Sequence, residues 1–163
     1  MIDLKSFCSK IEQAPNNGVE SAKCDAIKFD DQDGFVRSLT ANYANQCRVD
    51  YFEKIEQGVI LIELKDIKSK IKDLLKDKKD KEEIQKKVSL NLEKKFIDSL
   101  KIIQQEIDSN LIPVINYLVV TNDTESNLLD KYLPKNLKKK PFVICKTNEI
   151  RDKLSTLGTR LCQ

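Results

Sequence analysis

Three residues in this chain have the types and spacing to assemble phosphodiester-hydrolysing chemistry: Asp50, Glu63 and Lys65. Glu63 and Lys65 stand two apart at the end of VILIELKD (59–66). If this run is a strand, both point to one face. Asp50 lies in QCRVDYFEKI (46–55), a run rich in β-branched and aromatic residues that reads as the preceding strand. With Gln57-Gly58 as a two-residue hairpin turn, Asp50 faces Lys65 and Phe52 faces Glu63. Moving the turn to Glu56-Gln57 slides the register and keeps the three together, whereas a three-residue loop would separate them. Two carboxylates offer the hard oxygens that Mg²⁺ (or Mn²⁺) takes alongside its own waters. A bound ion of that kind acidifies water and offsets phosphoryl charge, and a neighbouring lysine orients the attacking hydroxide or balances charge in the transition state.

Composition narrows the alternatives. The 163 residues include no histidine, which excludes His-based triads, His-ligated zinc and imidazole acid–base work. The five cysteines (Cys8, Cys24, Cys47, Cys145 and Cys162) form no CxxC pair. They read as free thiols of a reducing cytoplasm, with Cys47 and Cys145 in strands. Met1-Ile2-Asp3-Leu4-Lys5 does not read as a signal peptide, and no apolar run is long enough to cross a bilayer, so the expected location is cytoplasmic. A net charge of +3 argues against an overtly polybasic binder. That total conceals 13 lysines against 8 acids between Lys65 and Lys101, and a further run at Lys138-Lys139-Lys140. Both read as solvated surface that could also contact phosphates without reading sequence. Tyr43, Tyr51, Tyr117 and Tyr132 are too dispersed for a stacking platform.

The elements that must position the three residues follow from periodicity and punctuation. Residues 3–14 have Leu4, Phe7, Cys8 and Ile11 at helical spacing behind Asp3 as a cap, which predicts a short helix. Pro15-Asn16-Asn17-Gly18 then ends it. A strand is expected over 23–29, then a tight acidic turn at Asp30-Asp31-Gln32-Asp33-Gly34. This turn has Phe29 where a calcium loop would need its first ligand. After the hairpin, one apolar stripe (Ile67, Ile71, Leu74, Leu75) and a longer one (Ile84, Val88, Leu92, Phe96, Leu100, Ile103, Ile107) predict helix from about 67 to 108. Between them, residues 76–81 form either a solvated bridge or a break. VINYLVV (114–120) is a strand buried on both faces, the kind reached by a helical crossover into parallel pairing. A short helix (128–133), a basic loop (134–141), a strand (142–145) and a helix (148–157) stopped by Gly158 complete the chain. The expected fold is α/β (α+β), a mixed sheet with a central hairpin flanked by helices. One domain spans 1–163, with its core over about 3–120 and a C-terminal strand and helix within 121–163.

On these residues and this order the chain resembles the PD-(D/E)xK nuclease superfamily, in which an acid on one strand precedes D/E-x-K on the next. Asp50 matches the first acid, Glu63 the second and Lys65 the lysine; Val49 stands in place of the proline. The resemblance implies a restriction-endonuclease-like core and the Leu64 carbonyl as an additional metal ligand. Members often add an acid from the first helix, for which Glu12 and Glu20 are the candidates. No QxxxY motif in the crossover helix ties the chain to the RecB-like subgroup. The implied activity is Mg²⁺-dependent endonuclease cleavage of nucleic acid, DNA ahead of RNA, by a homodimer or a subunit of a larger complex and without a membrane. The alternatives are a non-catalytic module binding nucleic acid or protein, and an inactive nuclease-fold subunit.

Overall fold

The computed structural model describes residues 2–15 and 18–163. Among these, a 3-10 turn at Leu4–Phe7 leads into β1 (Cys8–Gln13), β2 (Glu20–Lys28), β3 (Tyr51–Ile55) and β4 (Gly58–Lys65). Three helices follow, α1 (Ile67–Lys76), α2 (Lys81–Ser89) and α3 (Leu92–Glu106), then β5 (Pro113–Val120), α4 (Ser126–Tyr132), β6 (Phe142–Lys146) and α5 (Thr147–Ser155). The six strands form one mixed sheet in the order β1-β2-β3-β4-β5-β6. The first four make an antiparallel meander, and β5 and β6 join it in parallel. The protein is therefore a mixed α/β (α+β) fold, and the apolar run at 114–120 lies beside β4 as its composition predicts.

Side-chain alternation decides what each face covers. Phe52, Val59 and Leu61 point toward α3, where they pack with Phe96, Ile102 and Ile103. Tyr51, Ile60, Ile62, Tyr117 and Val119 point to the other face, under Ile150 and Leu154 of α5. Leu118 and Val120 extend the first face beneath α1, α2 and α4. Glu63 and Lys65 continue the Val59–Leu61 parity, so they belong to the face that α3 covers.

The expected helix over 3–14 is replaced by a 3-10 turn and a strand. Leu4 and Phe7 satisfy helical spacing, but Ile11 buries completely only by pairing β1 with β2, and that tertiary pairing overrides the local period. The turn expected at Pro15–Gly18 includes Asn16 and Asn17, which lie outside the described residues, as does Met1 of the N-terminal reading. The strand expected from 46 begins only at Tyr51, so Cys47 sits in a loop. The acidic turn is present, with Phe29 fully buried beneath it.

The hairpin turn is Glu56-Gln57, with Tyr51 opposite Ile62 and Phe52 opposite Leu61 rather than Glu63. The helical stretch breaks at 77–80, where Asp80 caps α2 by accepting from the Glu83 amide. It breaks again at Asn91, whose φ is 67°. The cysteine reading also needs correction: Cys8 and Cys162 form a disulfide, while Cys24, Cys47 and Cys145 are free. That bond removes the ground on which a reducing compartment was expected. Among the described residues no helix is long and apolar enough to cross a membrane.

Candidate functional site

The chain leading into β3 is held from two sides, and this fixes Asp50. The Val49 amide donates to Ser99 Oγ on α3 at 2.9 Å, and the Cys47 amide donates to Asp98 Oδ2 at 2.9 Å. The Asp50 carbonyl accepts from the Phe29 amide at the end of β2 at 2.9 Å. Asp50 Oδ2 then accepts the Leu64 amide at 2.9 Å, which brings the carboxylate across to the end of β4 between Glu63 and Lys65. Asp50 lies one residue before β3, not within it as expected, and the register continued by one residue sets it opposite Glu63. The structure thus brings Asp50, Glu63, Leu64 and Lys65 together, although through the second of the two hairpin registers.

Glu63 is 1% exposed, and no hydrogen-bond donor is aligned on its Oε2 among the described residues. Lys95 Nζ lies 2.6 Å from that oxygen. Burial, then hydrogen bonding with and repulsion by Asp50, pushes the Glu63 carboxyl up to about 9 against the pull of Lys95. Burial also works against the charge of Lys95, but Glu63, Asp50 and Asp30 outweigh it and hold its ammonium above the ordinary lysine range. Lys65 is half-buried and moves the other way. Burial lowers it, and repulsion from Lys70 and Lys95 adds to the effect.

A buried carboxylate oxygen without an aligned donor is costly unless something else satisfies it. With Asp50 adjacent, the donor set is two carboxylates and a backbone carbonyl, hard oxygens of the kind Mg²⁺ or Mn²⁺ takes. The residues therefore fit a divalent ion held by Asp50, Glu63 and the Leu64 carbonyl. Among the described residues no set of three carboxylate or thiol side chains converges to hold a metal. Neither candidate for an additional acid joins the pair. Glu12 is in β1, not in a helix, and lines a cleft of about 470 Å³ together with Asp50 and Leu64. Glu20 is committed elsewhere: its carboxylate accepts from the Asn122 amide at 3.1 Å and from Thr147 Oγ1 at 2.9 Å, bracing the start of β2 on the loop after β5 and on the first residue of α5.

Lys95 escaped the reading of the sequence because it lies in a lysine-rich helix where Lys94 and Lys101 look equivalent. The sequence offered only its spacing, three residues after Leu92 of the apolar stripe; the structure then sets it between the buried Leu92 and Ser99 and against Glu63. Lys94 pairs instead with Asp98 at 2.5 Å, outside the site. No protein-family model, no curated protein and no solved structure matches this chain.

Proposed function

We propose that the protein is a divalent-metal-dependent nuclease, hydrolysing phosphodiester bonds of nucleic acid at Asp50, Glu63 and Lys65. The observation that carries this reading is the pair Asp50 and Glu63, in which burial and the carboxylate beside it push the Glu63 carboxyl up to about 9, a strain that a divalent cation between the two would relieve. An ion held there would acidify a water and neutralise charge on the phosphoryl oxygens. The chain's own part is to fix that position. Asp50 is locked by the Leu64 amide, and Glu63 is set by β4 and its contact with Lys95. The depressed basicity of Lys65 suits it to orient an attacking water and exchange a proton with it. DNA ahead of RNA and a homodimer or larger assembly belong to the same proposal.

The test is incubation of plasmid, single-stranded DNA and RNA with Mg²⁺, Mn²⁺ or EDTA, using wild type, Glu63→Gln and Lys65→Met. Cleavage in either metal, absent in EDTA and lost in both variants, is the expected result. Cleavage that survives both substitutions removes the site assignment. The contact of Lys95 with Glu63 favours one second reading, a closed ion pair in an inactive nuclease-like module that binds without cutting. Under that reading wild type neither cleaves nor binds Mn²⁺.

A further inference from the structure

A cleft in the segment between β2 and β3 adjoins the groove that contains Asp50 and Leu64. It measures about 510 Å³, within the roughly 300–1,000 Å³ of small-ligand sites. Asp30 and Asp31 line both this cleft and the groove that contains Asp50 and Leu64, so the two spaces share a wall. That wall is charge-compensated: Arg48 pairs with Asp30 at 3.0 Å, and Lys28 lies 3.6 Å from Asp31. A phosphodiester entering the groove therefore does not face two bare carboxylates.

We propose that this cleft receives one unstacked nucleotide of a single-stranded nucleic acid, adjacent to the bond to be cleaved. The inference rests on the nuclease reading for the role of its neighbour, not for the binding itself. The lining has the mixed character a nucleotide requires, with Val36 and Leu39 apolar, Gln32 and Thr40 polar, and Arg37 at the exposed rim. Arg37 takes part in no salt bridge among the described residues. Its guanidinium is free to stack on a base or to grip a phosphate.

The walls are braced rather than loose. Arg48 donates to the Tyr43 carbonyl at 3.2 Å, the Tyr43 hydroxyl bonds Glu106 of α3, and the Cys47 and Val49 amides reach α3 as described. Such a recess is formed before the ligand arrives, which lowers the ordering cost of binding. A base can enter it only after leaving its stack, which a free strand does readily and a duplex does only by opening a pair.

The test is fluorescence anisotropy in EDTA with labelled oligonucleotides of about ten nucleotides, comparing single-stranded DNA, single-stranded RNA and a DNA duplex. Arg37→Ala and Ala41→Trp alter exposed positions of the cleft and leave Asp50, Glu63 and Lys65 in place. Wild type is expected to prefer a single strand, with the two strand arms identifying the sugar. Arg37→Ala should weaken that binding by about tenfold, the scale of one lost stacking contact. Ala41→Trp, which fills the recess, should weaken it at least as much. Hydrolysis of bis(p-nitrophenyl) phosphate in Mn²⁺, a substrate with no flanking nucleotide, should be equal in all three proteins. Tighter binding of the duplex, or strand binding unchanged in both variants, overturns the proposal. If wild type fails to hydrolyse the small phosphodiester while strand binding still depends on both positions, the nuclease reading falls and the cleft stands.

Discussion

Glu63 occupies a position where burial and charge oppose each other, and that opposition has a measurable sign. Its carboxyl titrates at about 9 in the folded chain, above the ordinary carboxylate range it has when unfolded. The stability tied to its neutral form is fully present below that ordinary range and is lost as pH climbs through the folded value. Glu63→Gln keeps a neutral side chain throughout, so it should gain on wild type as pH rises, by at most about 1.4 kcal/mol per pH unit. Urea midpoints in EDTA at about pH 5 and about pH 8.5 measure this; an equal difference between the two proteins at both pH values contradicts it. Lys95 bears on the same equilibrium, because its ammonium is the nearest charge drawing Glu63 toward ionisation. Lys95→Met should therefore shift the pH profile of metal-dependent cleavage upward. A lysine with a merely structural role would lower the rate equally at every pH. That Glu63 and Lys65 share a face was legible in the sequence, because a strand period of two puts the acid and the lysine on the same side. Lys95 was not, because its relevance depends on which helix the chain folds over that face.

At the scale of elements, the site depends on the β3–β4 register, and the register depends on Gly58. Gly58 has a φ of 149°, and a Cβ there would lie 2.3 Å from the Ile112 carbonyl oxygen, the same oxygen that accepts the Val59 amide at 2.9 Å. A side chain cannot be placed without separating β4 from the approach to β5. Gly58→Ala should cost about 1–3 kcal/mol, the scale of a residue forced into sparsely populated backbone. It should also reduce cleavage by disturbing the strand that carries Glu63. Chemical denaturation and a plasmid assay on the same preparation test both effects, and a variant as stable as wild type contradicts the argument. The apolar runs of β4, β5 and β6 were readable because strands buried in a sheet leave little else for continuous β-branched sequence to do. The segment at 4–13 was misread because Leu4, Phe7 and Ile11 fit a helical period, and only pairing with β2 decides otherwise. The break at Asn91 was invisible because the apolar stripe runs through it without losing phase.

Across the whole molecule, the C-terminal tail is held by two devices that meet at Cys162. Cys8 at the start of β1 is bonded to Cys162, 154 residues away. Glu53, fully buried in the middle of β3, accepts from the guanidinium of Arg160 at 2.8 Å and from the Leu161 and Cys162 amides at 3.0 and 3.2 Å. A carboxylate in a core strand looks like an error of patterning until these partners are seen, since a buried charge is tolerated only when paired and hydrogen-bonded. The disulfide acts mainly on the unfolded chain, and its reduction should cost about 2–4 kcal/mol of stability. Glu53 acts on the folded state by seating the tail, so the two losses should produce different signatures. Tryptic cleavage after Arg160 should stay slow in oxidised wild type, in reduced wild type and in oxidised Glu53→Ala, because one device persists in each. Only reduced Glu53→Ala should be cut quickly there. Fast cleavage of the tail in reduced wild type would mean that the disulfide alone holds it and that Glu53 follows the tail rather than fixing it.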